Sequence, residues 1–106
     1  MQMLDEKSID AQISGKETTL VLFIADWCPY CRKFKPIFES YEGKTKVALA
    51  EAMVNEDENP LWDRFGFDVI PTLIAFRNGK EVAKKIAPSH VGLSEEDMKS
   101  MLQSIK

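Results

Sequence analysis

The stretch Thr18 to Ala25, TTLVLFIA, limits the fold of this chain more than any other. It is β-branched and apolar without alternation, which is how a strand buried on both faces of a parallel sheet reads. A sheet with one wet face would alternate apolar and polar positions instead. Such a strand needs helices packed on either side of it, so the class is α/β. Its apolar part, Leu20 to Ala25, is the longest apolar run in the sequence. It falls far short of the roughly 20 residues that a membrane-crossing helix needs, so no membrane role is expected.

The remaining elements arrange themselves around that strand. LDEKSIDAQISG reads as a short first helix, with Asp5 as cap, Ile9 and Ile13 on one face and Gly15 as stop. A second helix is predicted from Pro29 to about Tyr41, carrying Phe34, Phe38 and Tyr41 at helical spacing. Pro29 suits its first turn, while Pro36 should kink its interior. Lys46 to Val54 returns as a strand and completes a βαβ unit. Asn59, Pro60 and Gly66 bound a helix of one to two turns. Thr72–Phe76 and Lys80–Ile86 flank Arg77-Asn78-Gly79, and Asn-Gly is the pair favoured in tight hairpins. Ser94 with Asp97 three residues on opens a last helix, with Leu93 against Met98 as a hydrophobic staple. We expect one domain over residues 1–106: a central mixed sheet of about four to five strands flanked by helices on both faces.

Against this scaffold the chain holds only two cysteines, Cys28 and Cys31, in ADWCPYCRKF where the buried strand ends and a helix begins. A structural zinc site usually needs four ligands, and beyond this pair there is one histidine, His90, and no further cysteine. No metal is expected. A purely structural disulfide over so short a loop would constrain the unfolded chain very little. A redox couple fits better. The partial positive charge and free N–H groups of a helix start favour a thiolate at Cys28. Cys31 lies one turn on, within reach but turned inward, so one sulfur should be presented and the other held back. Cys-x-x-Cys beside a βαβ pattern is a recognised redox signal.

Through this pair and the residues around it, the sequence resembles the thioredoxin family. FIADWCPYCRKFKPIFE is similar to its active-site strand, turn and helix, including Trp27 before the first cysteine and Pro36 five after the second. VIPTLIAFRNGK resembles its second signature, with Pro71 as the family's cis-proline opposite the cysteines. The resemblance spans nearly the whole chain and implies the thioredoxin fold. It implies a thiol–disulfide oxidoreductase that reduces protein disulfides, with Cys28 as nucleophile and Cys31 as resolving thiol. It implies a shallow peptide groove formed by Trp27, Pro29, Tyr30, Ile70, Pro71 and Pro88. No cofactor is implied; a flavoprotein reductase using NADPH, or a small-thiol pool, would recharge the pair.

Three departures stand against the family pattern. Pro29-Tyr30 is a glutaredoxin-type dipeptide where typical thioredoxins carry Gly-Pro. Leu22 occupies the position of the family's buried aspartate, six residues before the first cysteine, and the lysine facing it aligns on Met53. A buried ion pair is thereby replaced by an apolar one, leaving Asp26, Glu51 or water to assist Cys31. Ala87 and Pro88 in IAPSH stand where the family often has glycine.

The plainer readings assign Trp62, Phe34 and Phe38 to packing, His90 to a solvated loop, and Arg32, Lys33 and Lys35 to a wet helix face. A net charge of −3, with no basic run longer than CRKFK, argues against nucleic acid. MQMLDEKSID has no basic start and no apolar segment, so no signal peptide is visible and a cytoplasmic monomer is expected. Two other classes stay open: a glutathione-dependent enzyme or a disulfide oxidase or isomerase, favoured by Pro29-Tyr30, and a non-catalytic module on the same scaffold.

Overall fold

A computed structural model of the chain describes residues 1–105. The elements follow in the order β1 (Gln2–Leu4), α1 (Ile9–Ile13), β2 (Thr19–Ile24), α2 (Pro29–Glu39), β3 (Ala48–Met53), α3 (Leu61–Phe65), β4 (Thr72–Arg77), β5 (Lys80–Ile86) and α4 (Glu95–Ser104). They build one five-stranded sheet, ordered β1-β3-β2-β4-β5. β1 and β2 flank β3 in parallel, while β4 runs antiparallel to β2 and β5 antiparallel to β4. β2 is the middle strand, and all six of its residues are buried.

Helices cover both faces, and the alternation of side chains along β2 sorts them. Phe23 meets Phe65 and Phe67 at 5.8 and 4.8 Å between ring centroids, which puts α3 on that face. Ile24 and Met53 point the other way, towards Cys31 and Lys35 of α2. α4 packs beside α2, where the Tyr41 hydroxyl donates to Glu95 Oε2 at 2.7 Å. Phe34 and Phe38 of α2 are fully buried, as their spacing predicts.

Local chemistry explains most boundaries. Asn78 and Gly79 have φ of 55° and 76°, the two positive values that a tight hairpin between right-twisted strands requires. Ser94 and Asp97 form the reciprocal capping box. Asn59 Oδ1 accepts the Leu61 amide at 2.9 Å, and Gly66 closes α3 in the left-handed region. α2 runs through Pro36 to Glu39, so that proline does not end the helix.

Two expectations at the start of the chain need correction. Asp5 does cap, accepting the Lys7 and Ser8 amides at 2.8 and 2.9 Å. It caps only a turn, however, and α1 proper begins at Ile9 and ends before Ser14. The residues ahead of Asp5 form β1, an edge strand added to β3 that the helical reading of this segment overlooked.

Candidate active site

The site is assembled where β2 and β3 end. Asn55, just past β3, grips the segment leading from β2 into α2. Its Oδ1 accepts the Asp26 amide at 2.8 Å, its Nδ2 donates to Asp26 Oδ2 at 3.0 Å, and its carbonyl accepts Trp27 Nε1 at 2.9 Å. Arg32 reaches back to donate to the Asp26 carbonyl. The turn carrying Cys28 is therefore fixed by a residue that nothing in the single sequence had marked.

Cys28 is the N-cap of α2, and its sulfur does the work of a serine or aspartate oxygen. The Cys31 amide donates to Cys28 Sγ at 3.2 Å. That hydrogen bond and the positive end of the helix both point at the Cys28 sulfur. Both cysteines are free thiols. The expected contrast in exposure is corrected: Cys28 is only 4% exposed, scarcely more than Cys31 at 2%. The reason lies across the site, where the chain before β4 folds over the sulfur and the Ile70 carbonyl stands 3.8 Å from Cys28 Sγ.

What separates the two thiols is their surroundings. Burial pushes the Cys31 thiol well above the ordinary cysteine range, and the hydrogen bond and charge of Cys28 push it the same way. Beneath it lies a recess of about 240 Å³ lined by Ile24, Ala25, Asp26, Arg32, Lys35 and Met53. Leu22 is fully buried, so the strand position facing α2 is apolar as read from the sequence. Its cross-strand neighbour is Glu51, a buried carboxyl at 2% exposure whose Oε2 has no protein partner. Burial pushes Glu51 up to about 7; hydrogen bonding and charge from Glu39 add to this, while Lys35 and the amino terminus oppose it.

The Ile70–Pro71 bond is cis and both residues are buried. The Pro71 carbonyl accepts the Ala87 amide at 3.2 Å, which fastens this segment to the end of β5. Pro88 is exposed beside it, and Pro29 is exposed at the first turn of α2. Tyr30, expected to meet substrate, is half-buried and committed to the protein. Its hydroxyl donates to the His90 carbonyl at 2.9 Å, and its ring packs so closely on Gly92 that a Cβ there would lie 3.0 Å from it. His90 is exposed, and it contributes its backbone rather than its imidazole. Around the sulfurs the open apolar surface is Trp27, 54% exposed, and Val91, 67% exposed.

A hollow of about 520 Å³ lies at the opposite end of the sheet by Thr18, Lys46 and Arg77 and shares no residue with this site. Among the described residues no three His, Cys, Asp or Glu side chains gather as a metal would require. None of the described helices is long and apolar enough to cross a membrane.

A Cys-x-x-Cys dithiol at a helix start on a mixed α/β sheet is the constellation of a thiol–disulfide oxidoreductase. The thioredoxin family model matches residues 1–103. A thioredoxin of Alicyclobacillus acidocaldarius is 33% identical, over 94% of this chain and 96% of its own. A thioredoxin of Chlamydia caviae is 38% identical over 74% and 72%. In three dimensions, a chain from the crystal structure of a ferredoxin:thioredoxin reductase and thioredoxin f2 complex superposes with a TM-score of 0.85 at 18% identity, covering 98% of this chain and 93% of that one. The chain belongs to the thioredoxin family, and its activity is the reduction of protein disulfides.

Proposed function

We propose that Cys28 is the attacking sulfur and Cys31 the resolving one. Cys28 thiolate attacks one sulfur of a target disulfide; the new S–S bond forms as the old one breaks, and the second target sulfur leaves as thiolate. Cys31 then gives up its proton and attacks Cys28 Sγ. The product is the Cys28–Cys31 disulfide, and the target departs with two electrons. The observation that carries this assignment is the Cys31 amide donating to Cys28 Sγ at 3.2 Å. It supports an anion on one sulfur, while burial keeps the other protonated until the mixed disulfide needs resolving. Trp27, Pro29, Ile70, Pro71 and Pro88 surround the target, with Ile70 and Pro71 offering backbone to an extended segment. Tyr30 serves as a strut beneath that groove, not as a contact.

The oxidised pair is recharged by a flavoprotein reductase using NADPH or by a small-thiol pool, in a reducing compartment such as the cytoplasm. The protein acts as a monomer. Replacing Cys31 by Ser tests the assignment: the variant should accumulate a covalent adduct to its targets through Cys28, released by dithiothreitol. An adduct that maps to position 28 only in the wild type, or none at all, overturns it. The glutaredoxin-type alternative rests on Pro29-Tyr30. Turnover of insulin with dithiothreitol but not of glutathione mixed disulfides would exclude that alternative.

A further inference from the structure

Beside Cys28 a recess of about 310 Å³ opens between Trp27 and Trp62, lined also by Phe67 and by Asp57, Asp63 and Asp68. Phe67 is buried and forms its base, while the three aspartates are exposed at its rim. Both indole N–H groups are already spent on neighbouring backbone carbonyls. Trp27 Nε1 donates to Asn55 O at 2.9 Å and Trp62 Nε1 to Glu56 O at 3.1 Å. The indoles are thereby pinned with their rings, not their donors, available to a guest. Trp62 is held further by Phe67, 5.0 Å away between ring centroids.

The charges around the recess point one way. Among the described residues none of Asp57, Asp63 and Asp68 makes an ion pair. Arg64, the nearest base in sequence, is committed to Asp10 and lies over the Phe65 ring. Arg32 and Lys35 of α2 line the separate recess under Cys31. The surface therefore presents aromatic faces and unpaired carboxylates, with no side-chain donor of its own. An anion would be repelled. A neutral apolar group would use the rings and leave the carboxylates unmatched. A cation satisfies both, through ring faces and ion pairing, and a flat guanidinium stacks better than an ammonium.

We propose that this recess is a specificity pocket for an arginine side chain of the substrate protein, with lysine second, held while Cys28 attacks the neighbouring disulfide. The pocket rests on the reading of Cys28 as the attacking sulfur, and it narrows the substrate class to disulfides that lie near a positive charge.

The test uses paired disulfide peptides, identical except for arginine or its neutral isostere citrulline, with that position scanned through both flanks of the cysteine. At the productive position the arginine peptide should show about a three- to tenfold higher kcat/KM, as expected for a partly exposed cation–π contact with ion pairing. The advantage should shrink as salt is raised. In a variant combining Asp57→Asn, Asp63→Asn and Asp68→Asn, the ratio between the two peptides should fall to about one. Equal rates for the two peptides at every position, or an arginine advantage untouched by the triple variant, would overturn the pocket while leaving the dithiol chemistry standing. No reduction of either peptide would refute the dithiol reading, and the pocket with it.

Discussion

Cys31, on the buried face of α2, and Glu51, on the strand beneath that helix, are both ionisable and both buried, and in each case burial is the main reason the neutral form is favoured. They differ in what the neighbourhood does with that neutrality. Cys31 has a use for it on the proposed mechanism: its amide donates to Cys28 Sγ, and its proton is the one given up when the mixed disulfide is resolved. Glu51 sits in β3 with Oε2 unpartnered, Glu39 beside it and only Lys35 and the amino terminus to favour its charge. A buried ionisable group is a reagent where a reaction consumes its proton, and a burden on the fold where none does.

The sharpest way to break the comparison is to remove one group at a time. Cys28→Ser should abolish disulfide reduction, since Cys31, the other thiol, is buried and holds its proton, whereas Glu51→Gln should leave turnover at about the wild-type level in an insulin-reduction assay. A collapse of activity in Glu51→Gln would move that carboxyl into the reaction and end the contrast.

The next largest effect concerns the thiols themselves. Iodoacetamide labelling of the reduced protein, mapped by mass spectrometry across pH, should modify Cys28 first and leave Cys31 unmodified at neutral pH. The raised Cys31 thiol gives too little thiolate there to react. Early labelling of Cys31 would reverse the roles.

Glu51 should reveal itself in stability. Its native value of about 7 lies above the ordinary 4.5, so the folded state holds a proton that the unfolded chain has released between those two pH values. Its contribution is therefore complete below about pH 4.5 and is lost as pH rises through about 7. Urea unfolding of wild type and Glu51→Gln over this window should diverge by roughly 1–3 kcal/mol, with the variant relatively more stable at the alkaline end. Parallel curves would mean that Glu51 is as well solvated as an exposed carboxyl. The smallest effect belongs to Lys35→Met. Removing the ammonium that favours the Glu51 anion should shift the same transition to higher pH, by well under about 1 kcal/mol in stability.

These contrasts also mark how far the sequence could be read. β2, the hairpin at Asn78-Gly79, the Ser94–Asp97 box and the dithiol at a helix start were legible because each is written in contiguous residues. β1 was not, because three residues become a strand only by pairing with β3, far along the chain. Glu51 in KVALAEAMV reads as one of the groups that could assist Cys31, but nothing in those contiguous residues shows its burial. It is buried only because β1 and β2 close on either side of β3 and α2 lies over it. Cys28 reads as exposed until the Ile70–Pro71 segment is laid across it. Asn55 and the pairing of Trp27 with Trp62 depend likewise on segments that meet only in the folded chain. Tyr30 is the intermediate case: it is visible as part of the motif, but its partners within the protein, His90 and Gly92, come from the far side of the groove.

The two outer strands have a consequence for the protein at high concentration. A sheet edge exposes a row of unpaired amides and carbonyls on which a further chain can template, the usual start of fibrous aggregation. Here one margin, β1, is only three residues long. The other, β5, carries Lys80, Glu81, Lys84 and Lys85, and its pairing with β4 slips out of register at Ala75/Phe76. Neither margin offers a long, flat, uncharged ladder. A molecule that leaves Trp27 and Val91 bare is thereby spared a second sticky surface, and strand-by-strand polymerisation has no good place to begin.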